Sequence, residues 1–206
     1  MDTTIELYGA QTGNSQRAAI ALEEAGVRYT ARRLDLLARE HRDPAYLALN
    51  PAGKVPTLVD NTSVPARIIN QSNAIIQFAD ASVPGRLAPV QPGPERDRVF
   101  DRYFFFVTDV IAPSHAAFFL RQNGLDEAAA KIELRVIEQL VYSESFLTHA
   151  YMAGDHFSMA DISALTIATS VREQLDWTTL PRLSRWFNTV SARPAVQQGL
   201  RAFQNP

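Results

Sequence analysis

The residues able to do chemistry sit in a few short runs. Thr12-Gly13-Asn14-Ser15-Gln16-Arg17 places hydroxyl and amide donors ahead of the apolar run from Ala18 to Ala25. Gln71-Ser72 stands in the same relation to Ala74-Ile75-Ile76. A helix beginning at such a run offers unpaired backbone N–H groups and positive potential, which suit a carboxylate or another anion. His41 and Lys54 add polar and cationic groups in loop-like stretches, and Val55-Pro56 opens a strand-like run. Each run also has a plainer reading. Asn and Ser are common helix caps, Gly suits a turn, Pro often starts an edge strand, and a His in a polar loop is usually solvated.

None of this chemistry can rest on cysteine. The 206 residues contain none, which excludes disulfides, thiolate zinc sites, iron–sulfur ligation and a cysteine nucleophile. Thiol chemistry would need a thiol that arrives with a ligand. The 20 Lys+Arg against 22 Asp+Glu give a net charge of −2, without the basic surplus of a nucleic-acid binder. The start, MDTTIELYGA, lacks a basic segment followed by an apolar one and does not read as a signal peptide. The most apolar region, Phe104 to Leu120, is interrupted by Asp109, Pro113 and His115 and reads as too short and too polar to span a bilayer. A soluble cytoplasmic protein is expected, with no membrane or nucleic-acid partner and no metal.

The elements that would carry these residues follow from periodicity and punctuation. Residues 3–9 alternate as a strand, Gln16 to Ala25 carries a helical stripe closed by Gly26, and Val27 to Leu34 is a second strand. A short helix at Asp43 to Ala48, a loop at Asn50 to Lys54 and strands at Val55 to Asp60 and Arg67 to Asn70 follow. Gln71 to Asp80 is a helix with Ser72 placed as its N-cap. The order is β-α-β-α-β-β-α over residues 1–80. A Pro-rich linker at 81–94 leads to an all-helical part at 95–206. Its helices are expected at Glu95 to Leu120 with a kink at Pro113, Asp126 to Thr148, Ser158 to Glu173, Pro181 to Ala192 and Pro194 to Phe203.

An α/β part, a Pro-rich linker and an all-α part resemble the cytosolic glutathione transferase superfamily, and local motifs make the resemblance specific across the whole chain. Asn50 to Leu58, NPAGKVPTL, resembles the family's NP-x-G-x-VP-x-L run. Gln71-Ser72-Asn73-Ala74-Ile75 is similar to its [EQ]-S-x-A-I. Thr12 to Arg17 is similar to the T-x-N-[GS]-x-[KR] run of nu-class and related transferases. Ser158-Met159-Ala160-Asp161 resembles the family's capping box. The class, nu-like or theta/phi-like, is left open.

The resemblance implies an α+β thioredoxin-like N-terminal domain followed by an all-α C-terminal helical bundle. It also implies a homodimer that binds glutathione as co-substrate and a small hydrophobic electrophile. Pro56 would be in the cis form, and the Val55 main chain would pair with the cysteinyl backbone of glutathione. Gln71 and Ser72 would hold the γ-glutamyl end, and His41 and Lys54 the glycyl end. Thr12 and Asn14 would stabilise the glutathione thiolate, with Tyr8 as the rival activator. Tyr103, Phe106 and His115 would line the electrophile pocket. The segment between Pro56 and Ser72 is longer than usual for the family, and Arg67 replaces a commonly apolar residue. Glutathione-dependent disulfide or peroxide reduction, or a non-enzymatic binding role, are the alternatives on the same scaffold.

Overall fold

Strand Ile5–Gly9 (β1) is an inner strand of a four-stranded sheet in the computed structural model, which describes residues 4–204. Thr3 of the expected first strand lies outside the described residues. Strand Thr30–Arg33 (β2) runs parallel to β1, with Leu7 opposite Ala31. Strand Thr57–Asp60 (β3) runs antiparallel on the other side, with Leu7 opposite Leu58, and Arg67–Ile69 (β4) is the antiparallel edge. The parallel pair requires a crossover, supplied by helix Gly13–Ala25 (α1). Helix Pro44–Leu49 (α2) and helix Ser72–Ser82 (α3) complete the β-α-β-α-β-β-α order expected of a thioredoxin-like domain.

The chain divides into two compact units. The first holds the residues up to Leu87 and those from Ala192 onward, the second Ala88 to Ser191. In the first unit α1 packs on α3 and on the last helix, Pro194–Arg201 (α9). The periodicity of α9 places its apolar face but not the element that face meets. The sequence groups it with the other late helices, whereas its contacts are with α1. Gly199 decides how close the two helices come. A Cβ there would lie 2.6 Å from the Ile20 backbone, so α9 seats directly on the α1 main chain. Arg193 closes the joint with two short bonds to the buried Glu24 carboxylate, at 2.6 and 2.7 Å.

The second unit is all helical. Helix Pro94–Phe105 (α4) continues through a widened π-helical stretch, Phe106–Ile111, into helix Ala112–Gln122 (α5). Pro113 therefore does not break the run. It falls in the first turn of α5, where a missing N–H is tolerated, and the wide turns just before it absorb the mismatch. The continuous rod of 29 residues is long and apolar enough, by length and composition, to cross a membrane. The expectation that this region is too short for that is corrected, because the helix runs on through the proline. Val99, Tyr103, Phe106 and Val110 form its buried side, and α4 packs on helix Met159–Ser170 (α7). Helix Asp126–Tyr142 (α6) packs along α5, and helix Pro181–Ser191 (α8) closes on α7. The capping box is present. Asp161 accepts from Ser158 N at 2.9 Å and also from Trp186 Nε1 at 2.8 Å, which ties the start of α7 to α8.

Candidate functional site

Thr12 enters the site as the N-cap of α1. Its backbone is extended, and its Oγ1 accepts from the Ser15 N–H. The same hydroxyl donates to Ser15 Oγ at 3.1 Å, and buried Ser15 in turn accepts from Ala10 N at the end of β1. The turn between strand and helix is thus pinned from inside, and the Thr12 proton points along the cap. Asn14, half-buried in the first turn of α1, is used differently. Its Oδ1 accepts from Arg17 Nη1 at 2.9 Å, which leaves its Nδ2 without a partner among the described residues.

Arg17 lies one turn further along the buried side of α1, only 3% exposed. The same Nη1 also donates to Ser72 Oγ, at 3.1 Å. Ser72 is the first residue of α3 rather than its cap. Gln71 occupies the cap position, and the Ser72 hydroxyl takes the guanidinium instead. The sequence reading of Ser72 as N-cap is corrected by one residue for that reason. Gln71 is exposed, and its side chain meets no described partner.

The Val55 loop is held by a buried polar cluster. Asn50 Nδ2 donates to the Lys54 carbonyl at 2.7 Å, and Tyr46 Oη reaches the same carbonyl at 2.6 Å. Burial pushes the Tyr46 phenol up, which keeps it a donor. Thr57 Oγ1 lies 2.9 Å from Tyr46 Oη and donates to Asn70 Oδ1, also at 2.9 Å. Asn70 Nδ2 returns to the Leu49 carbonyl. One end of the cluster thus fixes the loop carrying Val55, and the other fixes the residue just before Gln71-Ser72. The Val55–Pro56 peptide is cis. The Val55 main chain makes no hydrogen bond with the described residues. Gly53 is required twice. Its φ is +57°, and a Cβ would meet Arg42 Nη1 at 2.7 Å and the His41 carbonyl at 3.0 Å. That close approach sets His41 beside the Lys54 loop. His41 Nδ1 is buried without a hydrogen-bond partner, and the Lys54 side chain is exposed.

Tyr8 points into different company. Its hydroxyl donates to Glu6 at 3.3 Å, and Glu6 also pairs with Arg32. Burial, with the Glu6 carboxylate, pushes the Tyr8 phenol above its ordinary value. Of the residues expected at the electrophile pocket, Tyr103 and Phe106 are buried within the second unit and His115 is exposed. Among the described residues no group of three or more His, Asp or Glu is placed to hold a metal ion.

Sequence reasoning missed Arg17, Tyr46, Asn50, Thr57 and Asn70 as parts of the site. Arg17 did carry a signal. It is three residues before Ile20 and four before Ala21, on the buried face of α1, where a charge calls for polar partners. Thr57 and Asn70 carried none, since their pairing depends on a contact across the sheet.

Two family descriptions match the chain: "Glutathione S-transferase, N-terminal domain" over residues 13–82 and "Glutathione S-transferase, C-terminal domain" over residues 107–194. Among characterised proteins, glutathione S-transferase 4 of Zea mays is 30% identical, over 94% of this chain and 91% of its own. GstB of Escherichia coli K12 is 26% identical, over 94% and 96%. Among solved structures, a transferase of Burkholderia graminis with two glutathione molecules bound per subunit superposes with a TM-score of 0.86 at 21% identity, over 99% of this chain and 90% of that one. The URE2P6 transferase of Phanerochaete chrysosporium, in complex with oxidised glutathione, gives 0.82 at 24%, over 96% and 94%.

Proposed function

Because this chain belongs to the cytosolic glutathione S-transferase superfamily, we propose that it binds glutathione in its first unit and stabilises the thiolate for attack on a hydrophobic electrophile. The observation that carries this reading is the meeting of two helix starts on one buried guanidinium. Asn14 on α1 and Ser72 on α3 each keep a hydrogen-bond donor that no described residue uses. A free thiol has a pKa of about 8.5, so only a few per cent is ionised at pH 7. A fixed amide donor and the α1 N-terminus both favour the charged form.

In this proposal Asn14 Nδ2 is the principal donor to the sulfur. Thr12 adds a second when its hydroxyl turns from Ser15 toward the ligand. Tyr8 is the weaker candidate, since its proton is engaged by Glu6. The open Val55 main chain pairs with the cysteinyl backbone, and Gln71 and Ser72 take the γ-glutamyl amine and carboxylate. His41, whose buried Nδ1 has no hydrogen-bond partner, and exposed Lys54 take the glycyl carboxylate. Residues 1–80, with α9 seated on them, then form the glutathione-binding part, and the helices between residues 95 and 191 supply the electrophile site. His115 is its accessible polar group, with Tyr103 and Phe106 forming the rigid wall behind. The exposed Phe104, Phe118 and Phe119 suit a homodimer contact, and a cytoplasmic location belongs to the same reading.

A second reading is supported by the solved structures of this fold that hold two glutathione molecules or the oxidised form. With no cysteine in the chain, disulfide reduction would take both thiols from glutathione. One glutathione thiolate attacks the disulfide and releases one thiol, and a second glutathione attacks the mixed disulfide, releasing the second thiol and giving oxidised glutathione.

Calorimetry with glutathione, thiolate absorbance against pH, and turnover of an aryl halide against a small disulfide test the proposal. Binding with a thiol titrating well below its free value supports thiolate stabilisation, and the preferred substrate chooses between the two reactions. No binding at millimolar glutathione refutes both and favours a non-enzymatic role.

A further inference from the structure

We propose that Arg17 is a positioning residue that holds both ends of the glutathione site in their donor state, and so couples recognition of the γ-glutamyl carboxylate to stabilisation of the thiolate. The inference rests on the glutathione-binding reading above and assigns a role to a residue that touches neither end of the ligand.

Hydrogen-bond direction at Arg17 fixes which atoms of Asn14 and Ser72 can donate. A guanidinium has N–H donors and no acceptor, and it stays protonated at any pH the protein meets. Arg17 Nη1 carries two hydrogens and lies 2.9 Å from Asn14 Oδ1 and 3.1 Å from Ser72 Oγ. Both oxygens must therefore accept. For Asn14 this removes the usual ambiguity of an amide, because the oxygen faces the guanidinium and the Nδ2 hydrogens face away from it. For Ser72 the lone pair is taken and the hydroxyl hydrogen is not. Neither side chain has any other described partner, so one buried group leaves two donors aimed elsewhere. One sits at the start of α1 and one at the start of α3, where the backbone already favours negative charge.

The same geometry makes the two ends interdependent although Asn14 and Ser72 do not bond each other. A carboxylate drawing on the Ser72 hydroxyl leaves that oxygen a better acceptor for Arg17. The guanidinium is then held more firmly, and with it the Asn14 amide. Being 3% exposed, Arg17 also contributes a positive charge little screened by water, close to both anionic poles of the ligand.

The test is a set of double-substitution cycles read by glutathione KM and by the pH at which bound thiol ionises. In the wild-type background, Ser72→Ala is expected to raise chiefly KM, and Asn14→Ala chiefly the thiol titration. Arg17→Met is expected to move both, with KM rising roughly tenfold or more, the size of one lost hydrogen bond to a charged group. Adding Ser72→Ala or Asn14→Ala to Arg17→Met then costs less than in the wild type. Arg17→Lys, which keeps the charge but not the fork, should recover only part of either parameter. If Arg17→Met does not fold, the cycle between Asn14→Ala and Ser72→Ala decides the matter, since both leave the guanidinium in place. Effects larger or smaller than the sum support coupling. Strict additivity there overturns the proposal, as do folded Arg17 variants with wild-type KM and thiol titration. A wild-type protein that fails to bind glutathione refutes the functional reading itself, a result separable from any behaviour of the Arg17 variants.

Discussion

Asn50→Ala should loosen the Val55 loop without unfolding the protein. Asn50 is 3% exposed and makes three contacts: to the Lys54 carbonyl at 2.7 Å, to Thr57 Oγ1 at 3.3 Å and from the Ala52 N–H at 3.2 Å. Their loss is partly covered. Lys54 O keeps the Tyr46 hydroxyl, Thr57 keeps Tyr46 and Asn70, and Ala52 is exposed to water. One short bond and two long ones, each worth about 0.5–1.5 kcal/mol net, set an upper range of about 1.5–4.5 kcal/mol, which the remaining partners reduce to a destabilisation of about 1–3 kcal/mol. The Lys54 carbonyl that fixes the loop beside Val55 is then held by Tyr46 alone, so glutathione KM should rise several-fold while the thiol titration stays put.

Asn50→Asp sharpens the test. A carboxylate oxygen at the amide nitrogen's position would face the Lys54 carbonyl, acceptor against acceptor, so the folded state favours the protonated acid and raises its pKa above the unfolded value of ~3.9. This variant should approach wild-type stability below that value and lose it as pH rises through the raised folded pKa. Urea titrations across pH, paired with glutathione kinetics, read both effects. An Ala variant with unchanged midpoint and KM, or an Asp variant whose deficit relative to wild type does not depend on pH, would refute the assignment of Asn50 as the loop's anchor.

Other perturbations have equally direct outcomes. Gly199→Ala forces a methyl against the Ile20 backbone, which cannot step aside. α9 must lift from α1 at a cost of about 1–3 kcal/mol or more, seen as a lower urea midpoint, and an unchanged midpoint would mean the close approach is absent in solution. Asp60 is held below the usual carboxylate range. Burial opposes this, but the Thr62 hydroxyl and N–H and the Arg67 guanidinium outweigh it. Its contribution is therefore present above the unfolded pKa and lost as pH falls through the folded one, and Asp60→Asn should shrink the acid limb of the stability profile. Ser72→Ala should raise glutathione KM with little change in kcat at saturation. An equal loss in kcat with unchanged KM would place Ser72 in the chemistry instead of in binding.

Arg67, in the segment between Pro56 and Ser72, has a clear physical role. Arg67 pairs with Asp60 across the β3–β4 hairpin at 3.0 Å and stacks over Phe78 at 4.8 Å. It secures the hairpin by an ion pair and a cation–π contact. The tip beyond it leaves Val64 fully exposed.

Much of this protein is written locally. The strands and helices of the first unit follow from alternation, stripes and Pro or Gly stops. The capping box at Ser158 and Asp161 lies within four residues, and the NPAGKVPTL run marks the loop that carries Val55. These features are legible because each depends on neighbours in the chain. The remainder needed three dimensions. Arg17 meets Ser72 across 55 positions, so its role, and the displacement of Ser72 from the cap, arise only where α1 packs on α3. The seating of α9 on α1 depends on Gly199 facing Ile20, a match of two surfaces that periodicity does not encode. The helix that runs through Pro113 depends on π-helical turns ahead of it, which no local residue type demands. Sequence by itself determined the parts list, the superfamily and the donors at the two helix starts. Tertiary packing decided which of those donors remain unspent, because a hydrogen bond's direction is set by the partner it meets.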